Sequence, residues 1–262
     1  MATTQTQPRQ GGHVQEAAAA LLHGQLAASI PLLNVRMAHV HYAALGFLDF
    51  LARVPIEEQK RWEIYVPRDP ADPTPDDGII RRENGKLSDQ KVFLHARPDL
   101  RALLQERGVP VAEPYQSWLE ACIQLRNDCR WVARVFAAEL DDVCPGVHAL
   151  ERFEEAEQGP NKALLRILRY STDTTGCAKP HTDRNAFSFH LGASDEGLYF
   201  LPELDGKRIR LPESQSGRAL VFPGKQLEAA TNGKIKASIH GADPTQNQNP
   251  RWSAVFFAYF SE

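Results

Sequence analysis

No two of the four cysteines form a C-x-x-C pair: Cys122, Cys129, Cys144 and Cys177 stand apart, a spacing that points to neither a zinc cluster nor a disulfide framework. A cytoplasmic home is the default for such a chain. No run of Lys or Arg is present, and the formal net charge is −3, so no basic stripe offers itself to a nucleic acid. No apolar stretch is long enough to span a bilayer, and no charged-then-apolar leader opens the chain, so no membrane partner is expected. Internal repeats are lacking too. What is there is 262 residues, 42% hydrophobic and 24% charged, the composition of an ordinary globular protein. Small molecules are the expected partners; the oligomeric state is not legible.

The periodicity divides the chain into two textures. Residues 1–12 are polar and are expected to be disordered. Residues 13–160 read as mainly helical: VQEAAAALLHGQLAA is rich in strong helix formers, and WLEACIQLRNDCRWVARVFAAEL repeats apolar residues three and four apart. Cys122 and Cys129 fall at packing positions of that second helix. Between the helical stretches lies IYVPRDPADPTPDDGIIRREN, dense in Pro and Asp, which reads as a long irregular connection. Residues 162–262 read as short strands: ALLRILRY, AFSFHLG, LYFLP, KRIRLP, RALVFPG, KIKASIH and RWSAVFFAYF, broken at Asp205-Gly206, Ser216-Gly217 and Asn232-Gly233. Such spacing predicts a β-sandwich or barrel, with the helices packed outside it as parts of one domain, 1–262.

Chemistry concentrates in the strand-rich part. In KPHTDRNAFSF, His181 and Asp183 are two apart, so on a strand their side chains point the same way and can meet one metal. His240 follows 57 residues after Asp183, at the end of KIKASIH. Two histidines and one carboxylate make the facial triad that suits Fe(II) and leaves positions open for a co-substrate and O2. Zinc accepts the same ligands. Eleven residues after His240 comes RWSAVFFAYF, where alternation places Arg251, Ser253, Val255, Phe257 and Tyr259 on one face. An arginine leading an apolar strand either sits at an exposed edge or needs an anion, and its planar fork matches a carboxylate. A dicarboxylate co-substrate, chelating the metal with one end, would supply that anion. Phe187 and Phe189 share strand parity with Asp183 and line the pocket or, equally, fill the core.

These segments together resemble the isopenicillin N synthase-like branch of the Fe(II)/2-oxoglutarate oxygenases. LLRILRY resembles that branch's strand ending in a tyrosine, here Tyr170. GLYFLPELDGKRIRLP resembles its G-L stretch and D-G-K-W hairpin, through Gly197, Leu198, Asp205, Gly206 and Lys207. PGKQLEAATNGKIKASIH resembles the segment that carries the second metal histidine, and RWS the R-x-S motif. Fainter echoes are VPIEEQKRW and DDGIIRRENGKLSDQKVFLH. Departures are Arg208 for the Trp of D-G-K-W, Lys225 for the Asp of G-D, Leu168 for an Asn, and Gly241 for the Arg after the metal histidine.

The resemblance implies a double-stranded β-helix (jelly-roll) core in an α+β chain. It further implies Fe(2+) on His181, Asp183 and His240, and 2-oxoglutarate as co-substrate with its distal carboxylate on Arg251, Ser253 and Tyr170. The reaction would be oxidation of a small molecule with O2, by hydroxylation, desaturation or cyclisation, giving succinate and CO2. Two alternatives stay open: a same-family Fe(II) oxidase that does not use 2-oxoglutarate, and a non-catalytic jelly-roll metabolite-binding protein. Many relatives cover the site with a C-terminal helix, for which this sequence has no counterpart after Phe260. The expectation is therefore that the segment from about Pro67 to Asn84 closes over substrate as a mobile lid. Pro70, Pro73 and Pro75 would stiffen it, Gly78 would hinge it beside Ile79 and Ile80, and Arg81 or Arg82 would either reach the substrate or remain solvated.

Overall fold

A computed structural model describes residues 11–64, 77–82, 91–160, 162–170, 177–211, 217–244 and 250–261. In chain order the elements are α1 (Gly11–Leu22), β1 (Ala28–Pro31), α2 (Met37–Arg53), α3 (Ile56–Lys60), β2 (Glu63–Ile64), β3 (Asp77–Arg82), β4 (Lys91–Ala96), α4 (Leu100–Glu106), α5 (Glu113–Val143) and α6 (Ala149–Gln158). There follow β5 (Leu164–Tyr170), β6 (Ala178–His181), β7 (Phe187–Ala193), β8 (Leu198–Leu201), β9 (Arg218–Pro223), α7 (Lys225–Ala230), β10 (Ile239–Ala242) and β11 (Trp252–Ala258). The strands form an eight-stranded sheet, in the order β1-β9-β7-β11-β5-β4-β3-β2, and a three-stranded sheet, β6-β10-β8. Every pairing is antiparallel.

Alternation on the central strands separates two environments. On β5, Leu165 and Ile167 face the helices, and on β11 so do Ala254, Phe256 and Ala258. Leu168, Tyr170, Ser253 and Val255 face the other way, toward the small sheet. The helical layer is anchored by α5, whose apolar stripe (Trp118, Cys122, Leu125, Cys129, Val132, Phe136, Leu140) is buried along 31 residues. Trp118 stacks on Phe47 and Phe50 of α2, and its indole N–H donates to the carbonyl of Ala43 at 2.9 Å. Each such fully buried aromatic or aliphatic side chain contributes roughly 1.5–3 kcal/mol. Cys122, Cys129 and Cys144 are free thiols buried in this layer. Among the described residues no helix is long and apolar enough to cross a membrane.

Several expectations change. Helix α1 starts at Gly11, inside the stretch expected to be disordered; residues 1–10 lie outside the described residues. The mainly helical half also supplies four strands: β1 forms one edge of the large sheet, and β4, β3 and β2 continue it to the other. Their apolar runs are short, and a buried strand of that length has no 3.6-residue pattern to betray it. KRIRLP forms only a bridge, Ile209 with Phe200, and of KIKASIH only Ile239 and His240 are strand. Between the RALVFPG and KIKASIH segments, Lys225 to Ala230 form α7.

The lid expectation fails where the chain is described. Residues 77–82 are strand β3, paired with β4 from Gly78 to Arg82 and with β2 at Asp77 and Gly78. Gly78 is a fixed close-contact point, not a hinge: its φ is +70°, and a Cβ there would collide with the carbonyl of Trp62. Asp77 is buried against Arg97, with Nε to Oδ1 at 2.6 Å, and Ile79 and Ile80 are buried as well. Arg81 donates to Gln59 and lies 3.9 Å from Glu63, away from the small sheet. Pro70, Pro73, Pro75 and residues 83–84 lie outside the described residues.

Candidate active site

His181, Asp183 and His240 come together between the two sheets, with one ligand atom of each within 4.8 Å of the others. They do not arrive by strand parity. His181 ends β6, whereas Asp183 belongs to the turn of residues 182–186 that leads into β7. That turn is clamped by the β9–α7 junction: the amide of Lys225 donates to the carbonyl of Asp183 at 2.9 Å, and that of Gln226 to Asn185 at 3.1 Å. Gly224 makes the approach possible, since a Cβ there would overlap the carbonyl of Asn185. His240 is placed by β10, directly opposite His181 in the β6–β10 pairing.

The donor set is oriented for a cation. His181 Nδ1 donates to the carbonyl of Lys179 at 2.7 Å, and His240 Nδ1 to that of Ser238 at 3.1 Å. Each imidazole is thereby fixed with a bare Nε2 turned toward Asp183, at 3.7 Å from Oδ1 for His181 and 3.8 Å from Oδ2 for His240. The Ser188 hydroxyl donates to Asp183 Oδ2 at 2.6 Å and holds the carboxylate in plane. Burial, and next the neighbouring His240, push the His181 pKa below its ordinary value, so its ring stays neutral and able to ligate.

Arg251 lies at the opposite end of the same pocket and is buried, which rules out the exposed-edge placement. It precedes β11, an interior strand between β5 and β7, and its Nε pairs with Asp195 at 2.9 Å. Its guanidinium carbon lies 5.5 Å from the Tyr170 ring, and Gly197 is small enough to let it lie flat. Tyr170 and Ser253 line the pocket beside it. The six residues singled out by pattern and resemblance therefore line one cavity.

Pattern missed other lining residues. His190, buried on β7, sits 3.2 Å from the Ser253 hydroxyl through Nε2, and its Nδ1 has no hydrogen-bond partner among the described residues. Burial, then Arg251 and His240, push its pKa down to about 3. Phe187 and Phe189, by contrast, fill the core against Phe136, Phe153 and Phe256. The turn at 182–186 breaks parity with Asp183 and gives the even-numbered residues of β7 to the pocket. Lys91 and Arg166 also line it. Arg166 was detectable, because it shares strand parity with Tyr170 on β5.

Residues 163–259 match the family model described as the 2OG-Fe(II) oxygenase superfamily, a stretch that contains all six of these site residues. That stretch is the strand-rich part of the chain, and its likeness to the superfamily is confined to it. Solved structures share the whole fold. The dioxygenase for auxin oxidation 1 of Arabidopsis thaliana, solved with 2-oxoglutarate, superposes with a TM-score of 0.73 at 15% identity, over 98% of this chain and 91% of that one. A full-length Neurospora crassa protein, solved in complex with α-ketoglutarate and thymine, gives 0.69 at 17% identity, over 94% and 80%. No curated protein sequence matches the chain.

Proposed function

We propose that the chain is a single-domain, Fe(II)- and 2-oxoglutarate-dependent dioxygenase that oxidises a small molecule and releases succinate and CO2. The carrying observation is the preset His181–Asp183–His240 cluster facing a buried arginine across one pocket. His181, Asp183 and His240 are the assigned iron ligands, and their hydrogen bonds to backbone carbonyls and Ser188 fit that duty. Arg251, with Ser253 and Tyr170 beside it, is assigned to the distal carboxylate of 2-oxoglutarate. Iron, once bound with 2-oxoglutarate and O2, supplies the oxidising chemistry. The protein's own part is to orient the co-substrate at both ends and to hold the C–H bond near the metal while the sheets exclude water. His190, kept neutral by burial, orients the Ser253 hydroxyl.

A non-catalytic binder has no need of three aligned ligands and a buried arginine, and the family match favours an enzyme. The thymine complex of the Neurospora relative supports a small-molecule substrate, and the free buried thiols support a reducing, cytoplasmic setting. The test is 2-oxoglutarate turnover by purified protein: succinate should form with added Fe(II) and not after chelation. Substrate oxidation that proceeds without 2-oxoglutarate would establish the oxidase alternative instead.

A further inference from the structure

Arg166 stands on the pocket face of β5, four residues before Tyr170 and so about 13 Å from it along the strand. Its guanidinium lies between two rings, the carbon 4.7 Å from the centroid of Phe93 and 4.5 Å from that of Phe257. Its Nε donates to His95 Nε2 at 2.8 Å across the β4–β5 pairing, which makes His95 a neutral acceptor there. The two rings and the imidazole fix the plane of the fork but supply no counter-charge. Arg251, at the other end of the pocket, has Asp195; among the described residues Arg166 has no ion pair. An arginine withdrawn into a pocket wall without an anion is costly unless an anion arrives with a ligand. Burial holds its pKa below the ordinary value, while Tyr259 and Asp183 act the other way.

We propose that Arg166 anchors the substrate: a small monoanion whose carboxylate pairs with this guanidinium and whose apolar body lies along Leu168, Val255 and Phe257, beside the triad. The inference rests on the oxygenase reading of the site and adds the substrate's chemical class to it. One unmatched positive charge on a planar fork complements a carboxylate, with its two coplanar oxygens, better than a doubly charged phosphate monoester. The co-substrate's distal carboxylate is already provided for by Arg251 at the other end.

The experiment uses wild type, R166K and R166Q, each loaded anaerobically with Fe(II) and 2-oxoglutarate and checked by thermal melting. Each is titrated calorimetrically with a panel of small aryl and alkyl carboxylates, each carboxylate matched with its primary amide, and with inorganic phosphate. At least one carboxylate should bind wild type roughly tenfold or more tightly than its amide. That preference should persist, weaker, in R166K and vanish in R166Q, with 2-oxoglutarate affinity unchanged in all three. Loss of 2-oxoglutarate binding in R166Q would make Arg166 a co-substrate residue and overturn the proposal. So would a panel with no Arg166-dependent carboxylate preference, or a dependence seen for phosphate alone. Failure of wild type to bind 2-oxoglutarate would count against the oxygenase reading, while the carboxylate–amide comparison still reads Arg166 directly.

Discussion

The two ends of the pocket are built on opposite electrostatic plans. At the metal end, two imidazoles and a carboxylate are turned inward by bonds to their own neighbours: His181 to Lys179, His240 to Ser238, Asp183 to Ser188. Nothing cationic has to be dislodged there, and the ligands are aimed before any ion arrives. At the far end the charge is already balanced, because Arg251 is buried on Asp195. That arginine can meet an anion while keeping its Nε partner, so its positive charge is partly spent within the protein. The metal end therefore tolerates little change, whereas the far end should lose affinity in graded steps.

The largest effect tests the metal end. Asp183→Ala or His181→Ala should abolish succinate formation and Fe(II) binding together; near-wild-type turnover by either variant, with trace metal removed, would end the assignment. Next comes the far end. Arg251→Ala should raise the apparent KM for 2-oxoglutarate by roughly 30- to several-thousand-fold, equivalent to ~2–5 kcal/mol, with Fe(II) affinity intact. An unchanged KM would move co-substrate recognition elsewhere and revive the oxidase alternative. Ser188→Ala should weaken Fe(II) binding by roughly 10- to 100-fold, since only the carboxylate's orientation is lost, and a metal titration reads this directly.

A smaller effect comes from pH. His190 is held at about 3 against an ordinary 6.5, so below about 6.5 the unfolded chain takes up a proton that the folded one refuses. Stability should then erode as pH falls from about 6.5 toward 3, by up to ~1.4 kcal/mol per pH unit from this group. The melting temperature of His190→Asn should fall less steeply over that window, and parallel curves would show that another group sets the slope. The smallest expected change is none. Amides of Ile79 to Arg81 should exchange hydrogen as slowly as those of β5 without any ligand, and stay so when Fe(II) and 2-oxoglutarate are added. Fast exchange in the free protein would restore the mobile lid.

Sequence pattern gave the fold class and picked out residues that share one cavity, but it missed details of the scaffold, for a physical reason. A metal needs particular atoms, so His181, Asp183 and His240 stand out by residue type even though the strand-parity argument for the first two does not describe how the chain brings them together. Arg251 stands out because burying arginine at the head of an apolar strand demands an anion. Strands β3 and β4 carry no such mark. They pair with each other, but the partner that ties them into the sheet, β5, lies far along the chain, and a run like GIIRR reads the same in a loop as in a strand until its neighbours are known. The glycine at 78 was misread for the same cause: a left-handed residue signals a hinge or a tight contact equally well, and only Trp62 decides between them. His190 escaped notice because the turn before β7 resets the alternation.

The strand order has a consequence for how copies of the molecule meet. Among the described residues the large sheet ends on its two shortest strands, β1 with four residues and β2 with two, while its interior strands run to six or seven. β1 closes on Pro31, which has no amide hydrogen to offer, and its cross-strand neighbour Arg218 covers part of that border by donating to the side chain and carbonyl of Ser29. Among the described residues β1 and β2 themselves therefore offer another chain only short borders, so a second copy pairing along either of them finds little to hold.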